Sequence, residues 1–597
     1  MSAKSRPGAA VLKPALTARL ARRLPPLRWL RQYNRADAAA DAVAGTVTAV
    51  LLVPQAMAYA VVAGLPPQVG LYASVLPSLA YALFGTSPYV GVGPVAVNAI
   101  MVASALAAVS HGDPAGNVVH ALQLAAISAV TLLVLATLRA GAFINFLSRP
   151  VLDGFTSGAA VLIVLTQLPA LLGLRSDTGP LVYEVLGGLA RHLPELHAPT
   201  LLISLASLAL LLLGGRPLRA LLRRLPLPSL AADLLGRMAP LAMVVIATLA
   251  VGIAHLAADG VAVVGQIPAG LPAPSLDFVR APGWLELLAP GILIALVSYV
   301  SSVSIGQALA SRRRQRIDAD QELLALGAAN AAAVAGGALP VAASFSRSAL
   351  NFSTGARTPM AGVVSALLVA VTALALTGLF RNLPKAALAA LIVVAVVPLI
   401  DVRGFRRTLA YSRGDGLTFA ATFTAVLLIG VERGLLLGAL LALAIHIWRS
   451  GRPHMAVIGR VPGTEHFRNV ARHRVETWPT LLLVRVDEGL YFANAARVEH
   501  FILGALAARP QVDHLILVGS AINHIDSSGL AMLESLLPAL REAGVCVHLA
   551  EFKGPVMDRL RRSGLLEELP PGEIYLSTHV AVTTLLARDA SNPEATA

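Results

Sequence analysis

Two apolar stretches of the chain are interrupted by glycine and proline in a similar way. Residues 91–98 read Gly-Val-Gly-Pro-Val-Ala-Val-Asn, and residues 339–348 read Leu-Pro-Val-Ala-Ala-Ser-Phe-Ser-Arg-Ser. Glycine permits an extended backbone, and proline or serine is favoured where a helix begins. Each stretch therefore predicts a helix that begins inside an apolar region rather than at its edge.

A helix that begins inside an apolar region presents unpaired backbone N–H groups and about half a positive charge. Arg347 lies in the second stretch, and a guanidinium at the centre of a bilayer costs about 2.5–3.5 kcal/mol on insertion scales. Two such helix starts and one arginine indicate a site for a small anion. Two alternatives stay open: the interruptions are ordinary helix kinks, or Arg347 pairs with Glu322 or with a buried carbonyl group.

No other set of side chains predicts a chemical reaction. The sequence has no nucleotide-binding motif and no nucleophile triad, and its single cysteine, Cys546, belongs to no CxxC motif or Cys/His cluster. We therefore expect no enzyme activity, no metal site and no cofactor. Five charged residues of the apolar region have ordinary interpretations as helix-start, interface or kink residues: Asp153, Asp318, Glu322, Glu432 and Arg433.

The composition shows what kind of elements must position these residues. Of the 597 residues, 56% are hydrophobic and 13% are charged, whereas an ordinary soluble domain has about 25% charged residues. Between Asp41 and Asp113 lie 71 residues without Asp, Glu, Lys or Arg. As a helix they would measure about 105 Å, more than three times a hydrocarbon core of about 30 Å. The composition excludes a soluble enzyme and predicts several membrane spans.

Apolar runs separated by polar or glycine- and proline-rich connections predict fourteen transmembrane segments. The two interrupted stretches fall on the third and the tenth of them, which are corresponding places in two halves of seven. The predicted segments are 42–64, 70–86, 93–111, 117–138, 149–173, 198–214, 237–257, 284–310, 322–337, 345–355, 360–380, 386–401, 415–430 and 433–448.

The distribution of charge predicts how these segments are oriented. The chain has 47 basic and 33 acidic residues, a formal net charge of +14, and nine of the basic residues precede the first segment. Arginines also cluster after segments six, eight and twelve, whereas the connections after segments three, five and seven contain Asp113, Asp177 and Asp259. By the positive-inside rule, both termini are predicted to be cytoplasmic. The positive charge therefore gives no reason to expect a nucleic-acid partner.

The composition changes after Trp448, where apolar runs become as short as β-strands and alternate with helix-like stretches. This order is typical of a small α/β domain. We predict a basic N-terminal segment at 1–41, a transmembrane domain at 42–448, a linker at 449–477, an α/β domain at 478–590 and a tail at 591–597.

Several ordered motifs resemble those of the SulP family of anion transporters, which is related to the animal sulfate, chloride and bicarbonate exchangers and to prestin. The resemblance covers about residues 30–590. The motifs are Val-Pro-Gln-Ala-Met-Ala-Tyr-Ala at 53–60, Gly-Leu-Pro-Pro at 64–67 with Gly-Leu-Tyr at 70–72, Tyr-Ala-Leu-Phe-Gly-Thr-Ser at 81–87, Gly-Pro-Val-Ala at 93–96, Gln-Glu-Leu at 321–323 with Gly327 and Asn330, and Ser-Phe-Ser-Arg-Ser-Ala at 344–349.

The resemblance implies a mostly α membrane fold of two inverted seven-span repeats, divided into a core and a gate domain. It also implies a homodimer, elevator-like movement of the core against the gate, and an anion held between the third and tenth helices. By motif match, the anion pocket would be formed by side chains and backbone of Gln55, Tyr59, Gly93, Val95, Ala96, Phe345, Ser346 and Arg347.

One position departs from the family pattern. Many transport-active members have a glutamate on the eighth span, and the matching position here is Ser301, in Val-Ser-Ser-Val-Ser at 300–304. A buried carboxylate is a natural carrier for a symported proton, because burial raises its pKa into a useful range. We therefore expect anion exchange or uncoupled passage rather than proton symport.

The C-terminal region resembles a STAS domain, the fold shared with anti-sigma-factor antagonists. The resemblance rests on Ile-Asp-Ser-Ser-Gly-Leu at 525–530, after a predicted strand at 514–518. In the soluble relatives the serine after the aspartate is phosphorylated, which implies a regulatory role for Asp526 and Ser527 and a cytoplasmic protein partner. The alternative, which the residue pattern favours, is that both residues simply cap the following helix.

The sequence thus predicts a secondary anion transporter of the inner or plasma membrane, with sulfate as the default substrate. Bicarbonate, chloride and C4-dicarboxylates suit the same pocket. A second hypothesis is a membrane-tethered signalling protein in which the STAS region acts and the spans only anchor it. The intramembrane Arg347 favours transport, because an anchor has no need of a buried charge. A nucleobase transporter is disfavoured, since its carboxylate-bearing pocket helices have no match here.

Overall fold

The structure is a computed structural model that describes residues 24–109, 114–142, 148–174, 181–214, 238–272, 276–567 and 573–591. The chain divides into two compact units, residues 1–440 and 441–597. The described part of the first unit is almost entirely helical, and the second unit contains a six-stranded sheet.

The first unit is built from α-helices and two very short strands. Each of the fourteen predicted segments contains at least one of these helices. The helices are α1 (Pro26–Trp29), α2 (Arg35–Val62), α3 (Pro67–Tyr72), α4 (Leu76–Phe84), α5 (Ala96–Val109), α6 (Pro114–Thr137), α7 (Arg149–Leu172), α8 (Val182–His192), α9 (Ala198–Leu213), α10 (Ala239–Ile253), α11 (Asp277–Arg280), α12 (Trp284–Arg312), α13 (Ala319–Ala335), α14 (Phe345–Thr354), α15 (Met360–Val371), α16 (Lys385–Val396), α17 (Val402–Tyr411), α18 (Arg413–Ile429) and α19 (Val431–Ser450); the strands are β1 (Val92–Gly93) and β2 (Ala342–Ala343).

Length and composition allow seven described helical stretches to cross a membrane, two of which, Met360–Phe380 and Lys385–Tyr411, combine consecutive shorter helices. The bent pair Val182–Glu195 with Ala198–Leu213 would make an eighth span. The remaining predicted segments consist of shorter helices, among them α5 and α10. The protein is therefore a multi-pass, mostly helical membrane protein, and the count of fourteen spans stays a prediction.

Helices from the two halves of the first unit pack directly against each other. Helix α13 packs against α4 and α6, α15 packs against α2, and α18 packs against α7. Glycine permits the closest of these approaches: a Cβ atom at Gly154 of α7 would lie 2.5 Å from the carbonyl oxygen of Phe419 of α18. The two halves therefore form one packed body rather than two consecutive bundles.

The second unit is an α/β domain. Its sheet has the strand order β4-β3-β5-β6-β7-β8, in which β3 is antiparallel to both neighbours and β5 to β8 are parallel. The strands are β3 (Met455–Arg460), β4 (Phe467–Asn469), β5 (Leu481–Val486), β6 (His514–Val518), β7 (Cys546–Ala550) and β8 (Ile574–Tyr575), and the helices are α20 (Ala495–Ala507), α21 (Ser527–Glu542), α22 (Gly554–Arg562) and α23 (Thr578–Ser591).

Both faces of this sheet are buried. Alternate residues of the parallel strands, such as Leu515 and Leu517, pack against α20, α21 and α22, whereas Leu481, Leu483 and Ile516 pack against α23. A parallel strand covered on both faces reads as a continuous apolar run rather than an alternating one. This burial explains why β5 and β6 are recognisable in the sequence.

The predicted boundaries differ from the structure in one respect. Strands β3 and β4 lie inside the range 449–477 that the sequence analysis treats as a linker, so the sheet begins earlier than predicted. Strand β3 is mostly apolar but alternates between buried and half-buried residues, and the edge strand β4 is only three residues long. Neither therefore forms the continuous apolar run that marks a strand buried on both faces.

Some predicted features lie outside the described residues. They are residues 1–23 of the basic N-terminal segment, Asp113, Asp177, the arginines after the sixth segment (Arg216, Arg219, Arg223 and Arg224), and residues 592–597 of the tail.

Candidate anion site

The structure places the two interrupted stretches side by side. Strands β1 and β2 pair antiparallel, with Val92 opposite Ala343 and Gly93 opposite Ala342. The backbone N–H of Ser344 extends the pairing by donating to the carbonyl oxygen of Gly91 over 3.0 Å. Since α5 and α14 begin directly after these strands, the short sheet brings the starts of both helices together.

Buried polar side chains from neighbouring helices hold these strands in place. Ser302 of α12 accepts a hydrogen bond from the N–H of Ala343 over 2.9 Å. Asn330 of α13 binds both backbone groups of Val341, donating over 3.1 Å and accepting over 3.0 Å. These residues satisfy backbone groups that hydrocarbon would leave unpaired. Ser302 was not identified from the sequence. The one available signal was that Ser302 is a polar residue in a mostly apolar helix.

The helix starts differ from the predicted ones in detail. Pro94 was expected as the first helical residue, but α5 begins two residues later, at Ala96. Ser344 occupies the N-cap of α14 without making a side-chain capping bond, and its Oγ lies 3.0 Å from Oγ of Ser346 instead. The first N–H groups of α14 therefore keep their capacity to bind an anion.

Arg347 is buried where the two stretches meet. Its side chain is 2% exposed, and Nη1 donates to the carbonyl oxygen of Pro94 over 2.9 Å. Within the described part of the chain, Nε and Nη2 have no hydrogen-bond partner. The buried-carbonyl alternative is thus correct for one of the three nitrogens and leaves two donors unused.

Glu322 does not form the alternative ion pair with Arg347. Its carboxylate accepts from the hydroxyl of Tyr81 over 2.8 Å and from the backbone N–H of Thr86 over 2.8 Å. Asp318, in contrast, caps α13 as its position predicts, accepting from the N–H groups of Asp320 and Gln321. Glu322, the acidic residue nearest to Arg347 in the sequence, therefore does not neutralise the charge of Arg347.

Gly93 lies against the guanidinium of Arg347. Its φ angle is +155°, in the range that favours glycine, and a Cβ atom at this position would lie 3.2 Å from Nη2 of Arg347. A glycine is needed here because both the backbone angle and the approach of the guanidinium disfavour a side chain.

A cavity of about 430 Å³ opens beside Arg347. Its volume falls within the range of about 300–1,000 Å³ that is usual for ligand sites, and its wall is mostly apolar with a few polar groups, as in such sites. The polar lining includes three predicted site residues, Gln55, Ser346 and Arg347, and the full lining is Leu51, Gln55, Leu211, Gly214, Ala239, Pro240, Ser346, Arg347, Ala349, Leu350, Ser353, Leu391, Val394 and Ala395.

The other predicted site residues lie outside the cavity wall. Tyr59 is buried and its hydroxyl accepts from Nε2 of Gln55 over 2.8 Å, so it orients a lining side chain. Phe345 is 58% exposed. Ser301 is half-buried on α12, next to the strand-supporting Ser302. Gly93, Val95 and Ala96 lie on the first stretch, where Gly93 pairs with Ala342.

Comparison with known proteins identifies the family to which this architecture belongs. The model of the Sulfate permease family matches residues 39–422, and the STAS domain model matches residues 472–581. The chain belongs to the sulfate permease family. This confirms the resemblance seen in the motifs, and with it a transporter of anions rather than an enzyme.

Named relatives extend over nearly the whole length of this chain. The "Probable sulfate transporter Rv1739c" of Mycobacterium tuberculosis is 33% identical over 566 residues, which cover 94% of this chain and 98% of the relative. The chloroplastic "Sulfate transporter 4.1" of Arabidopsis thaliana is 30% identical over 575 residues, covering 94% of this chain and 82% of the relative.

Solved structures share the fold of this chain. The structure of SLC26A9 matches with a TM-score of 0.86 at 23% identity, covering 100% of this chain and 99% of that one. The transmembrane domain of the cyanobacterial bicarbonate transporter BicA matches with a TM-score of 0.57 at 21% identity, over 69% of this chain and 98% of that domain. A mostly helical membrane fold with a C-terminal STAS domain is thereby confirmed.

In the STAS domain, Asp526 is the N-cap of α21. Its carboxylate accepts from the N–H of Gly529 over 2.8 Å and from the N–H of Phe492 over 3.0 Å. Slight desolvation raises the pKa of Asp526, but these backbone hydrogen bonds outweigh it and hold the pKa below its ordinary value. Ser527 is the first residue of the helix and is exposed. The capping interpretation thus accounts for Asp526, whereas Ser527 makes no capping bond.

The expectation that the chain contains no Cys/His cluster is wrong in three dimensions. His514 is far in sequence from Cys546 and His548, yet strand pairing brings the ligand atoms of all three within 4.8 Å of one another. Burial raises the pKa of the Cys546 thiol. Sequence spacing could not reveal this cluster, because it depends on the register between β6 and β7.

Proposed function

We propose that this protein is a secondary transporter of small anions, with sulfate as its first substrate. The proposal rests on Arg347, a buried guanidinium with two unused donor nitrogens at the wall of a 430 Å³ cavity. A buried charge without a partner is costly, and a bound anion removes that cost.

The anion would bind beside Ser346 and Arg347, at the start of α14. There it meets the two unused nitrogens, the free N–H groups of the first helical turn and the amide of Gln55. The opposite stretch would act through the carbonyl of Pro94, which fixes one nitrogen of the guanidinium, rather than by touching the anion. Few direct contacts suit a carrier that must also release its substrate.

Uptake of labelled sulfate into proteoliposomes tests the proposal. Unlabelled sulfate, bicarbonate, chloride and a C4-dicarboxylate are added in turn as competitors. We expect sulfate to compete best, in agreement with the names of the relatives. If bicarbonate, chloride or the dicarboxylate competes more strongly than sulfate, that anion replaces sulfate as the proposed substrate. If none of these anions is taken up, the proposal that the protein is a transporter is wrong.

We also propose that transport is not coupled to protons, because Ser301 stands where many relatives have a glutamate. An imposed proton gradient should then leave sulfate uptake unchanged, whereas sulfate loaded inside the vesicles should accelerate it by exchange. Uptake that rises with the proton gradient and persists in a Ser301→Ala variant would contradict this.

The finer architecture belongs to the same proposal. Two inverted seven-span repeats would form a core and a gate, and the core would move in an elevator-like step within a homodimer. The protein would lie in the plasma membrane with both termini in the cytoplasm, as the charge distribution predicts. Cysteine-accessibility labelling of each terminus in intact and lysed cells, starting from a Cys546→Ser background, tests the orientation.

The STAS domain would bind a cytoplasmic protein, with Ser527 as a regulatory residue. Ser527 is exposed at the start of α21, where a phosphate would meet the helix N-terminus. Phosphoproteomics of the native membrane tests this proposal. If Ser527 is unmodified under all growth conditions, Asp526 and Ser527 have only the structural role of a helix start.

A further inference from the structure

The N-terminal ends of β6 and β7 bring together the only cysteine of the chain and two histidines. His514 and Cys546 are directly opposite in the parallel ladder, and His548 follows Cys546 by two residues. Because side chains alternate between the two faces of a sheet, all three point to the same face. The imidazole nitrogens and the sulfur lie within 4.8 Å of one another.

Each histidine has a carboxylate on the ring nitrogen that faces away from the cluster centre. Nδ1 of His548 contacts Oε2 of Glu573, and Nε2 of His514 lies 3.5 Å from Oδ1 of Asp589. A carboxylate on the outer nitrogen fixes the tautomer and orientation of a metal-binding histidine in many metal sites.

The inner nitrogens, Nδ1 of His514 and Nε2 of His548, face each other at 3.0 Å. When both outer nitrogens, which face the carboxylates, carry the ring protons, both inner nitrogens present lone pairs. Two facing lone pairs repel, and a cation bound by both relieves the repulsion. The arrangement is that of two ligands turned toward one ion.

We propose that His514, Cys546 and His548 bind a transition-metal ion of the Zn²⁺ class through two imidazole nitrogens and a thiolate. Zinc accepts this ligand combination, with Zn–N near 2.0–2.1 Å and Zn–S near 2.3 Å. Tetrahedral geometry then requires about 3.3 Å between the nitrogens and about 3.6 Å between nitrogen and sulfur. A side-chain movement of about 1 Å by Cys546 meets this requirement.

The charges around the cluster are suited to a divalent ion. Binding releases the Cys546 proton to solvent, so a thiolate and the carboxylates of Glu573 and Asp589 surround the ion. Arg588 lies 3.4 Å from the second oxygen of Glu573 and offsets part of the negative charge. His548 is fully buried, whereas His514 and Asp589 are partly exposed and leave a route from solvent. A water molecule can supply the fourth ligand.

Binding would connect four parts of the STAS domain. Strands β6 and β7 supply the ligands, Glu573 precedes β8, and Asp589 belongs to α23. A metal that binds the folded domain but not the unfolded chain stabilises the folded domain, and the stabilisation rises with the logarithm of the free metal concentration once that concentration exceeds the dissociation constant. The proposed site is independent of the transport function, since it uses none of the residues around Arg347.

Titration of the purified full-length protein, without a histidine tag, with Co²⁺ tests the site. Cobalt replaces zinc and gives a thiolate-to-metal charge-transfer band when cysteine is a ligand. Because Cys546 is the only cysteine of the chain, this band reports ligation by Cys546 alone. We expect one Co²⁺ per chain and displacement of the band by Zn²⁺.

Variants separate this site from adventitious binding. Cys546→Ser should abolish the band, His514→Gln should weaken Co²⁺ binding at least about 10-fold, and Asp589→Asn should weaken it about 10-fold. His466→Gln, an exposed histidine of the same domain, is the matched control and should leave binding unchanged. His514 and Asp589 are preferred to the buried His548, because their replacement is better tolerated by the fold.

Alkylation of Cys546 provides a second measurement that needs no variant. Zn²⁺ should slow the reaction of this single thiol with a maleimide, and a chelator should restore the rate. Absence of the charge-transfer band in the folded wild-type protein would overturn the proposal, as would equal Co²⁺ affinity in wild type, His514→Gln and Asp589→Asn.

Discussion

The two interrupted stretches have the same backbone plan but different side chains. In each, a two-residue strand leads into a short helix, and the strands pair with each other. The first turn of helix α5 has no charged or hydroxyl side chain, and its one polar residue, Asn98, is buried and donates to Ser298 over 2.9 Å. Helix α14 begins at Phe345 and has Ser346, Arg347 and Ser348 in its first turn.

Because their side chains differ, the two interrupted stretches have different roles at the site. The first stretch supplies backbone: the carbonyl of Pro94 fixes Arg347, and Gly93 leaves space for its guanidinium. The second supplies charge and hydroxyl groups at the cavity. Similar backbone geometry in two halves thus need not mean equivalent chemical roles, because a shared fold fixes positions and not side chains.

The largest expected effect follows from removing the charge of the second stretch. Arg347→Ala should weaken anion binding by about 1.5–3 kcal/mol, or about 10- to 100-fold, since charged hydrogen bonds are lost. The concentration dependence of sulfate uptake measures this loss. Arg347→Lys retains the charge without the planar donor group and should recover part of the activity. Unchanged uptake kinetics in Arg347→Ala would remove this residue from the site.

The first stretch should be sensitive through its backbone. Gly93→Ala places a methyl group 3.2 Å from Nη2 of Arg347 at a φ angle of +155°, which costs about 1–3 kcal/mol of strain. Thermal unfolding in detergent and sulfate uptake measure the effects on stability and on the site. Gly187→Ala on α8, where a Cβ atom meets nothing within 4 Å, should leave both unchanged. Equal behaviour of the two variants would refute the proposed role of Gly93.

The pairing of the stretches depends on Ser302. In Ser302→Ala the buried N–H of Ala343 loses its acceptor, which should lower the free energy of unfolding by about 1–2 kcal/mol. Thermal unfolding is again the measurement. Ser311→Ala, an exposed serine near the end of the same helix, is the control and should have little effect. If Ser302→Ala is as stable as the control, the strand pair does not need this hydrogen bond.

The smallest expected effect concerns a single hydroxyl at the cavity. Ser346→Ala should weaken sulfate binding by about 0.5–1.5 kcal/mol, at most about 10-fold, because a neutral hydrogen bond is lost. Ser346→Thr keeps the hydroxyl and should lie closer to wild type in the same uptake assay. A loss larger than that of Arg347→Ala would show that hydroxyl groups, rather than the charge, dominate the second stretch.

Much of the fold could be predicted from the sequence, because a segment that crosses a membrane must be long and nearly free of charge. Uncharged runs predicted a multi-pass protein, and apolar strand-length runs predicted β5, β6 and β7. Strands β3 and β4 were missed, since β3 alternates between buried and half-buried residues and the edge strand β4 is only three residues long. Of the predicted pocket residues, Gln55, Ser346 and Arg347 line the cavity, while Phe345 is exposed.

The sequence by itself determined that the chain crosses a membrane several times, that two helices begin in its apolar region and that a positive charge lies at one of them. These properties follow from composition and local backbone preferences, which act over a few residues. Only the tertiary structure decided that Arg347 binds the carbonyl of Pro94, that Glu322 binds Tyr81 and Thr86 instead, and that His514 meets Cys546. Such contacts depend on the packing and strand register of segments far apart in the chain, which local preferences do not encode.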